Sequence, residues 1–414
     1  MDTDTKRIVV IGAGFAGLWS ALGAARKLDE LRMPADQVEV VVINGTPFHS
    51  IRVRNYEQPL DSTLVPLADV LDPAGVRRIQ GMVRSIDLPN RRVGFESGDS
   101  STQWLGYDRL ILAAGSELAR PAIPGLHEFT FDVDTFDGAS KLHAHLLALP
   151  ERPEAPGRYT VIVVGAGLTG VELAAELPAR LRGIVGDNAS ADVRVILADR
   201  SAKIGQAMGG AQPVIEEALR AQGVELRPGV SLETVTRDGV QLTGGEHIDA
   251  ATVVWCGGMR ASPLTAQFPV SLDAFGRVPV DAFLRVDNVP DVFAAGDCAR
   301  ILIDGKRPSV MSCQHSRPMG RHAGHNAVCD LLGLAMLPLC IDWYTTILDL
   351  GPWGAVYTEG WERRLASQGE AAKQTKRTIN CERIYPPSTK RREDILQAAA
   401  PVVQAPPYTV RGAD

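Results

Sequence analysis

Arg7-Ile-Val-Val-Ile-Gly-Ala-Gly-Phe-Ala-Gly17 joins an apolar run to a glycine turn. The run has no polar alternation, so it predicts a strand buried on both faces. Gly12, Gly14 and Gly17 then fall in Gly-x-Gly-x-x-Gly spacing. The first glycine permits a tight turn, the second lets backbone N–H groups approach a pyrophosphate, and the third lets helix and strand pack closely. An alanine-rich stretch to about Leu28 predicts a helix whose N-terminus would carry the phosphate. A second apolar run at 38–43 predicts the next strand. Strand, turn, helix and strand make one βαβ unit, and that context turns a weak string into a specific signal.

The same grammar returns in Tyr159-Thr-Val-Ile-Val-Val-Gly-Ala-Gly-Leu-Thr-Gly170. Gly165, Gly167 and Gly170 repeat the spacing, a helix is expected to about Leu181, and Val193 to Asp199 is the second strand. The chain therefore holds an internal repeat at domain scale. Short alternating stretches follow each unit, at 81–87, 91–95 and 102–107, and again at 224–226, 231–236, 239–242 and 247–255; they predict small antiparallel meanders. Pro121 and Pro124 suggest a crossing between domains. From about residue 331 mixed strands and a helix, with Trp343, Tyr344, Trp353, Tyr357 and Trp361, suggest a further domain, and 398–414 is alanine- and proline-rich, without a core of its own. The expected fold is α/β: two Rossmann-like dinucleotide-binding domains, each with a meander, and a C-terminal α+β domain. The first domain would comprise 1–118 and 276–330, the second 119–275, the third 331–414.

The 414 residues carry 43 basic and 49 acidic side chains, a net charge of −6 that argues against a nucleic-acid binder. Six cysteines occur with no Cys-x-x-Cys pair, which indicates neither a redox disulfide nor a metal knuckle. No apolar stretch is long enough to span a membrane, and no signal peptide precedes the first strand, so a cytoplasmic protein is expected.

At the end of the first unit's second strand, where an acidic residue usually bonds the adenosine ribose, stands Asn44, which offers only a neutral amide. In the second unit the place is held by Asp199. A carboxylate there suits two ribose hydroxyls and repels a 2′-phosphate, which favours NADH over NADPH; the adjacent Arg200 could soften the preference, or simply be solvated.

The two turns resemble those of the two-dinucleotide-binding-domain flavoproteins, the superfamily that includes glutathione reductase. The resemblance implies FAD on the first turn, at Gly12, Gly14, Phe15, Ala16, Gly17, Asn44 and Val83, and NAD(P)H on the second, at Gly165, Gly167, Gly170 and Asp199. Three further strings are similar to that superfamily: 107–115, with Ala114 and Gly115; 253–258, ending at Gly258; and 292–298, in which Asp297 would bind the ribityl chain. Within the superfamily the chain looks most like the type II NADH dehydrogenases. By that likeness Glu172 would lie near the nicotinamide–flavin contact and relay protons; otherwise it is a polar residue at a helix start, stabilised by the dipole. Where that family has Ala-Gln-x-Ala-x-Gln, this chain reads Cys313-Gln-His-Ser-Arg-Pro318: Gln314 keeps the first glutamine, and Pro318 replaces the second, which puts a quinone acceptor in question.

Other residues stay open between a role and a structural reading. Arg52, Arg54, His49 and Tyr56 could recognise an anionic or aromatic acceptor, or the arginines could pair with acidic side chains or the FAD pyrophosphate. His315 and His322 are read as satisfied core or surface residues. Lys373, Lys376, Arg377, Lys390, Arg391 and Arg392 are expected to form a solvated basic face rather than a peripheral membrane contact. The leading expectation is an FAD-dependent oxidoreductase that takes hydride from NADH and passes electrons to a small acceptor, a quinone or other aromatic oxidant. A reductase for a redox protein and a non-catalytic regulatory flavoprotein are the alternatives. The C-terminal aromatics offer a surface on which two copies could pair.

Overall fold

In the first sheet the strand Lys6–Ile11 runs parallel to Val38–Asn44 on one side and to Arg109–Leu112 on the other, with Arg77–Gln80 and Val292–Ala294 at the edges. The computed structural model describes residues 5–98 and 101–406. Ile8, Val9 and Val10 are fully buried, as a β-branched parallel strand covered on both faces should be. The helices Phe15–Glu30 and Cys313–Leu331 lie side by side in the same direction. Their approach depends on glycine: a Cβ on Gly320 would come within 2.3 Å of the Ala16 carbonyl oxygen, and one on Gly324 within 1.9 Å of that of Ser20. The antiparallel strands Met82–Asp87, Arg92–Glu96 and Thr102–Gly106 adjoin this core, to which Val83, Ile86, Val93 and Phe95 contribute.

The second sheet is also parallel, in the order Val224–Pro228, Arg194–Asp199, Thr160–Val164, Thr252–Trp255. The helix Leu168–Val185 follows its glycine turn and continues through Pro178. Two of the expected meander strands are corrected here. Residues 224–228 form the edge of the parallel sheet, and the run 247–255 divides: His247–Asp249 joins the meander with Leu232–Thr236 and Gly239–Leu242, while Thr252–Trp255 enters the parallel sheet. The reason is burial on both faces, since all four residues of Thr252–Trp255 are buried, which an edge meander strand cannot achieve.

The two units are joined by an antiparallel pair, Ser116–Leu118 with Met259–Ala261, just before Pro121. Beyond residue 331 the strands Thr345–Asp349, Ala355–Glu359 and Arg364–Gln368 form an antiparallel sheet. The apolar side chains beyond residue 331 are divided: Leu348, Leu350 and Val356 pack into the core around the second sheet, whereas Ile395, Leu396 and Ala399 near the last helix pack into the first. A small cluster of Ala355, Tyr357 and Ala372 is left to itself. Of 398–414, Val403 packs partly against the first core, and residues from 407 lie outside the described range. No helix among the described residues is long and apolar enough to cross a membrane.

Candidate active site

The two glycine turns have the same construction. Gly12 has φ +91° and Gly165 φ +107°, so both first glycines occupy backbone that an L side chain rarely adopts. A Cβ on Gly17 would meet the Gly12 carbonyl oxygen at 1.9 Å, and one on Gly170 the Gly165 carbonyl oxygen at 1.8 Å. These third glycines are closed in by the turn itself. The middle glycines differ: a Cβ on Gly14 or on Gly167 would find nothing within 4 Å. Nothing in the protein's own packing demands glycine there, so the open space above each helix N-terminus fits the close approach of a pyrophosphate. Phe15 is half-buried behind the first turn, while Leu168 and Thr169 are exposed behind the second.

Each turn is also tied to the end of its second strand. The Ala13 N–H donates to Asn44 Oδ1 at 2.9 Å, and the Ala166 N–H donates to Asp199 Oδ2 at 2.7 Å. Asn44 spends its amide N–H on the Thr46 carbonyl at 2.8 Å. Asp199 accepts from the Ser201 N–H at 2.7 Å and retains lone pairs on both oxygens for further donors.

Between the turns, Asp297 is held by two hydroxyls: Ser116 Oγ donates to it at 2.7 Å and Ser316 Oγ at 3.3 Å. Gly115 has φ +69° with open space at its Cβ, and Ala114 beside it is half-buried. Gly258 has φ +78° and faces Ala119. The Val83 side chain is spent on the core, which leaves only its backbone for a nucleotide. Gln314 accepts from the Thr345 hydroxyl at 3.3 Å, and its Nε2 is buried without an acceptor.

The arginines at 52 and 54 are paired. Arg52 binds Asp134 and donates to the Ser116 carbonyl at 3.1 Å. Arg54 pairs with Glu57 at 2.7 Å and donates to Tyr385 Oη at 2.7 Å. His49 is fully buried and its Nδ1–H donates to the Ala13 carbonyl at 2.8 Å; burial pushes its pKa down to about 4, so the ring is neutral. His315 accepts from the Val310 N–H at 2.8 Å, while its Nε2 has no hydrogen-bond partner among the described residues; His322 Nδ1–H donates to the Pro318 carbonyl at 2.9 Å, and both rings are buried.

Glu172 is neither exposed nor capping a helix. It lies in the second turn of its helix, 5% exposed, and Lys376, also 5% exposed, donates to it at 2.5 Å. The Asp349 N–H donates to the same oxygen at 3.0 Å. Lys373 pairs with Asp349, and Tyr56 Oη donates to that carboxylate at 3.3 Å. Burial pushes the Glu172 carboxyl up to about 7, against the pull of Lys376. The expected solvated basic face is thus corrected: Lys373 and Lys376 point inward, because a carboxylate buried among Val171 and Leu173–Ala175 requires a counter-charge. Arg377, Lys390 and Arg392 do face solvent, in ion pairs with Glu370, Asp69 and Asp29. Sequence reading missed Lys376, Asp349, Ser116 and Ser316; the one available signal was a glutamate inside an otherwise apolar helix face.

Residues 6–320 match the family model described as pyridine nucleotide-disulphide oxidoreductase. The chain belongs to that family. It is an oxidoreductase, with the mixed α/β fold of such proteins. An NADH dehydrogenase-like protein of Mycobacterium tuberculosis is 55% identical over 402 residues, which cover 97% of this chain and 100% of the relative. A type II NADH:quinone oxidoreductase of the same species is 32% identical over 324 residues, 71% of this chain and 67% of the relative. The solved structure of NDH2 from Plasmodium falciparum superposes with a TM-score of 0.77 over 95% of this chain and 97% of that one, at 13% identity, a likeness of fold alone. All six cysteines are free.

Proposed function

We propose that the chain is an FAD-dependent NADH:quinone oxidoreductase, with FAD in the domain of the first turn (1–118 and 276–330) and NADH in that of the second (119–275). The observation that carries this reading is the pair of middle glycines, Gly14 and Gly167, each open above a helix N-terminus in an otherwise closed turn. The names of the relatives supply the acceptor class. The overall change is NADH, a proton and quinone to NAD⁺ and hydroquinone. FAD, when bound, supplies the two-electron relay between the nucleotide and the acceptor.

The chain's own residues position and protonate. The Gly12–Gly17 turn and Asp297 would hold the flavin nucleotide, and Asp199 the adenosine ribose of NADH. The negative charge of Asp199 disfavours a 2′-phosphate. Gln314, with its unmet Nε2 donor, would address the acceptor or the ring edge. Glu172, near neutral pKa and held by Lys376, would store a proton for the hydroquinone.

An anaerobic titration tests the core of this reading. NADH is expected to bleach the yellow protein at close to one equivalent, NADPH only at a concentration about tenfold higher or more, and added naphthoquinone to restore the colour. A protein that purifies without flavin, or that NADH leaves yellow, would refute it.

Glu172 gives a pH signature. Its carboxyl holds a proton below about 7 and releases it above. Quinone reduction should therefore fall as pH rises through that value, and the inflection should vanish in Glu172→Gln. The same shift has a stability consequence: the raised pKa favours the fold below the ordinary carboxyl range, and that contribution is lost as pH rises through about 7.

A further inference from the structure

Among the described residues, two buried arginines on the Cys313–Leu331 helix have no carboxylate counter-ion. Arg317 is 8% exposed and Arg321 2%, and among the described residues no carboxylate pairs with either. Their spacing places both guanidinium groups on one face of the helix, against Trp19 of the neighbouring helix: Arg317 Cζ lies 5.3 Å and Arg321 Cζ 4.3 Å from the indole centroid. Arg317 Nε, Arg321 Nε, Trp19 Nε1 and, one turn earlier, Gln314 Nε2 are all buried without an acceptor among the described residues. All four are donors. Arg383 lies close enough to Arg317 to repel it, and its own bond goes to the Ala405 carbonyl at 2.8 Å, which brings no negative charge. Buried charge without a partner is costly, and a set of unmet donors of one sign requires an anion that accepts from them.

We propose that Arg317 and Arg321, backed by Trp19, recognise an anionic electron acceptor, a quinone that carries an acidic substituent. The proposal rests on the oxidoreductase reading and gives its acceptor a charge. Guanidinium groups match a carboxylate or sulfonate geometrically, and Trp19, 1% exposed with both of them against its ring, holds them in place. The cluster starts beside the flavin position, because Ser316, which bonds Asp297, immediately precedes Arg317. It then leads away from the pyrophosphate position. The Arg321 backbone lies against Gly23, nine residues along the helix from Gly14, about 13 Å at the usual helical rise. The substitution at Pro318 acquires a context: Arg317 precedes it and Arg321 follows it within one helical turn.

The test uses the full FAD-loaded chain with two acceptors of similar size, a naphthoquinone sulfonate and neutral menadione. Wild type is expected to prefer the sulfonate by about tenfold or more in kcat/KM, and Arg321→Gln and Arg317→Gln to bring the ratio to about 1. Raising ionic strength from about 0.05 to about 0.3 M should weaken the sulfonate alone. Arg377→Gln, which loses only an exposed pair, should keep the preference. The absence of a preference in wild type, an equal loss for both acceptors in the variants, or loss of FAD from them would overturn the proposal; the last would mean that the arginines hold the cofactor. If wild type reduces neither quinone, the functional reading fails separately, and calorimetric titration of the sulfonate into the oxidised protein decides the site: binding lost in Arg321→Gln upholds an anion site, and no binding to wild type removes it.

Discussion

Gly167→Val is expected to yield a folded, yellow protein that NADH bleaches at least about 100-fold less effectively, a loss of nearly 3 kcal/mol in nucleotide binding. A Cβ at this position meets no protein atom within 4 Å, so the substitution removes nothing from the packing. What it fills is the space above the helix N-terminus, where backbone N–H groups would meet the pyrophosphate. The contrast with the third glycine makes the experiment specific. A Cβ at Gly170 would sit 1.8 Å from the Gly165 carbonyl oxygen, so Gly170→Val should damage the fold of the second unit. Bleaching and thermal unfolding, measured side by side, separate the two outcomes. Unchanged bleaching in Gly167→Val would place the nucleotide elsewhere.

Lys376→Met is expected to cost about 1–3 kcal/mol of stability, since it leaves the Glu172 carboxyl without its partner in a site only 5% exposed. The carboxyl would respond by remaining protonated through the neutral range, so the pH inflection near 7 should move upward in the same variant. The double variant Glu172→Gln with Lys376→Met should recover much of the loss, because it removes the charges together. Denaturant titration of the flavin-loaded protein at pH 8 gives the three values. Costs that simply add would show that the pair contributes no coupling.

The two predictions differ in how far their grounds were legible in the sequence. The glycine turns, their flanking strands and the parallel character of Lys6–Ile11 and Thr160–Val164 follow from local rules: continuous apolar runs, spacing that only glycine satisfies, and helices that must start where the turn ends. Local pattern also misled. Residues 247–255 read as one alternating strand, yet they divide between two sheets, because a run of that length does not state whether a second layer will cover it. Lys373 and Lys376 read as a solvated face because a lysine on a polar helix is normally solvated.

By itself, then, the sequence determined the two βαβ units, the glycine spacing that turns each of them, and the acidic strand end at Asp199 with its amide counterpart at Asn44. All of these are set by neighbours in the chain and by steric limits on backbone conformation. Only the tertiary structure decided that Glu172 meets Lys376 across 204 residues, and that Arg317 and Arg321 lie buried against Trp19. The physical reason is the same in both cases. A charged side chain shows its sign in the sequence, but its cost depends on burial and on which partner the packing brings within reach. Those are settled when Gly320 and Gly324 let two helices close on one another, and when the C-terminal sheet and the helix that follows it fold back over the second unit.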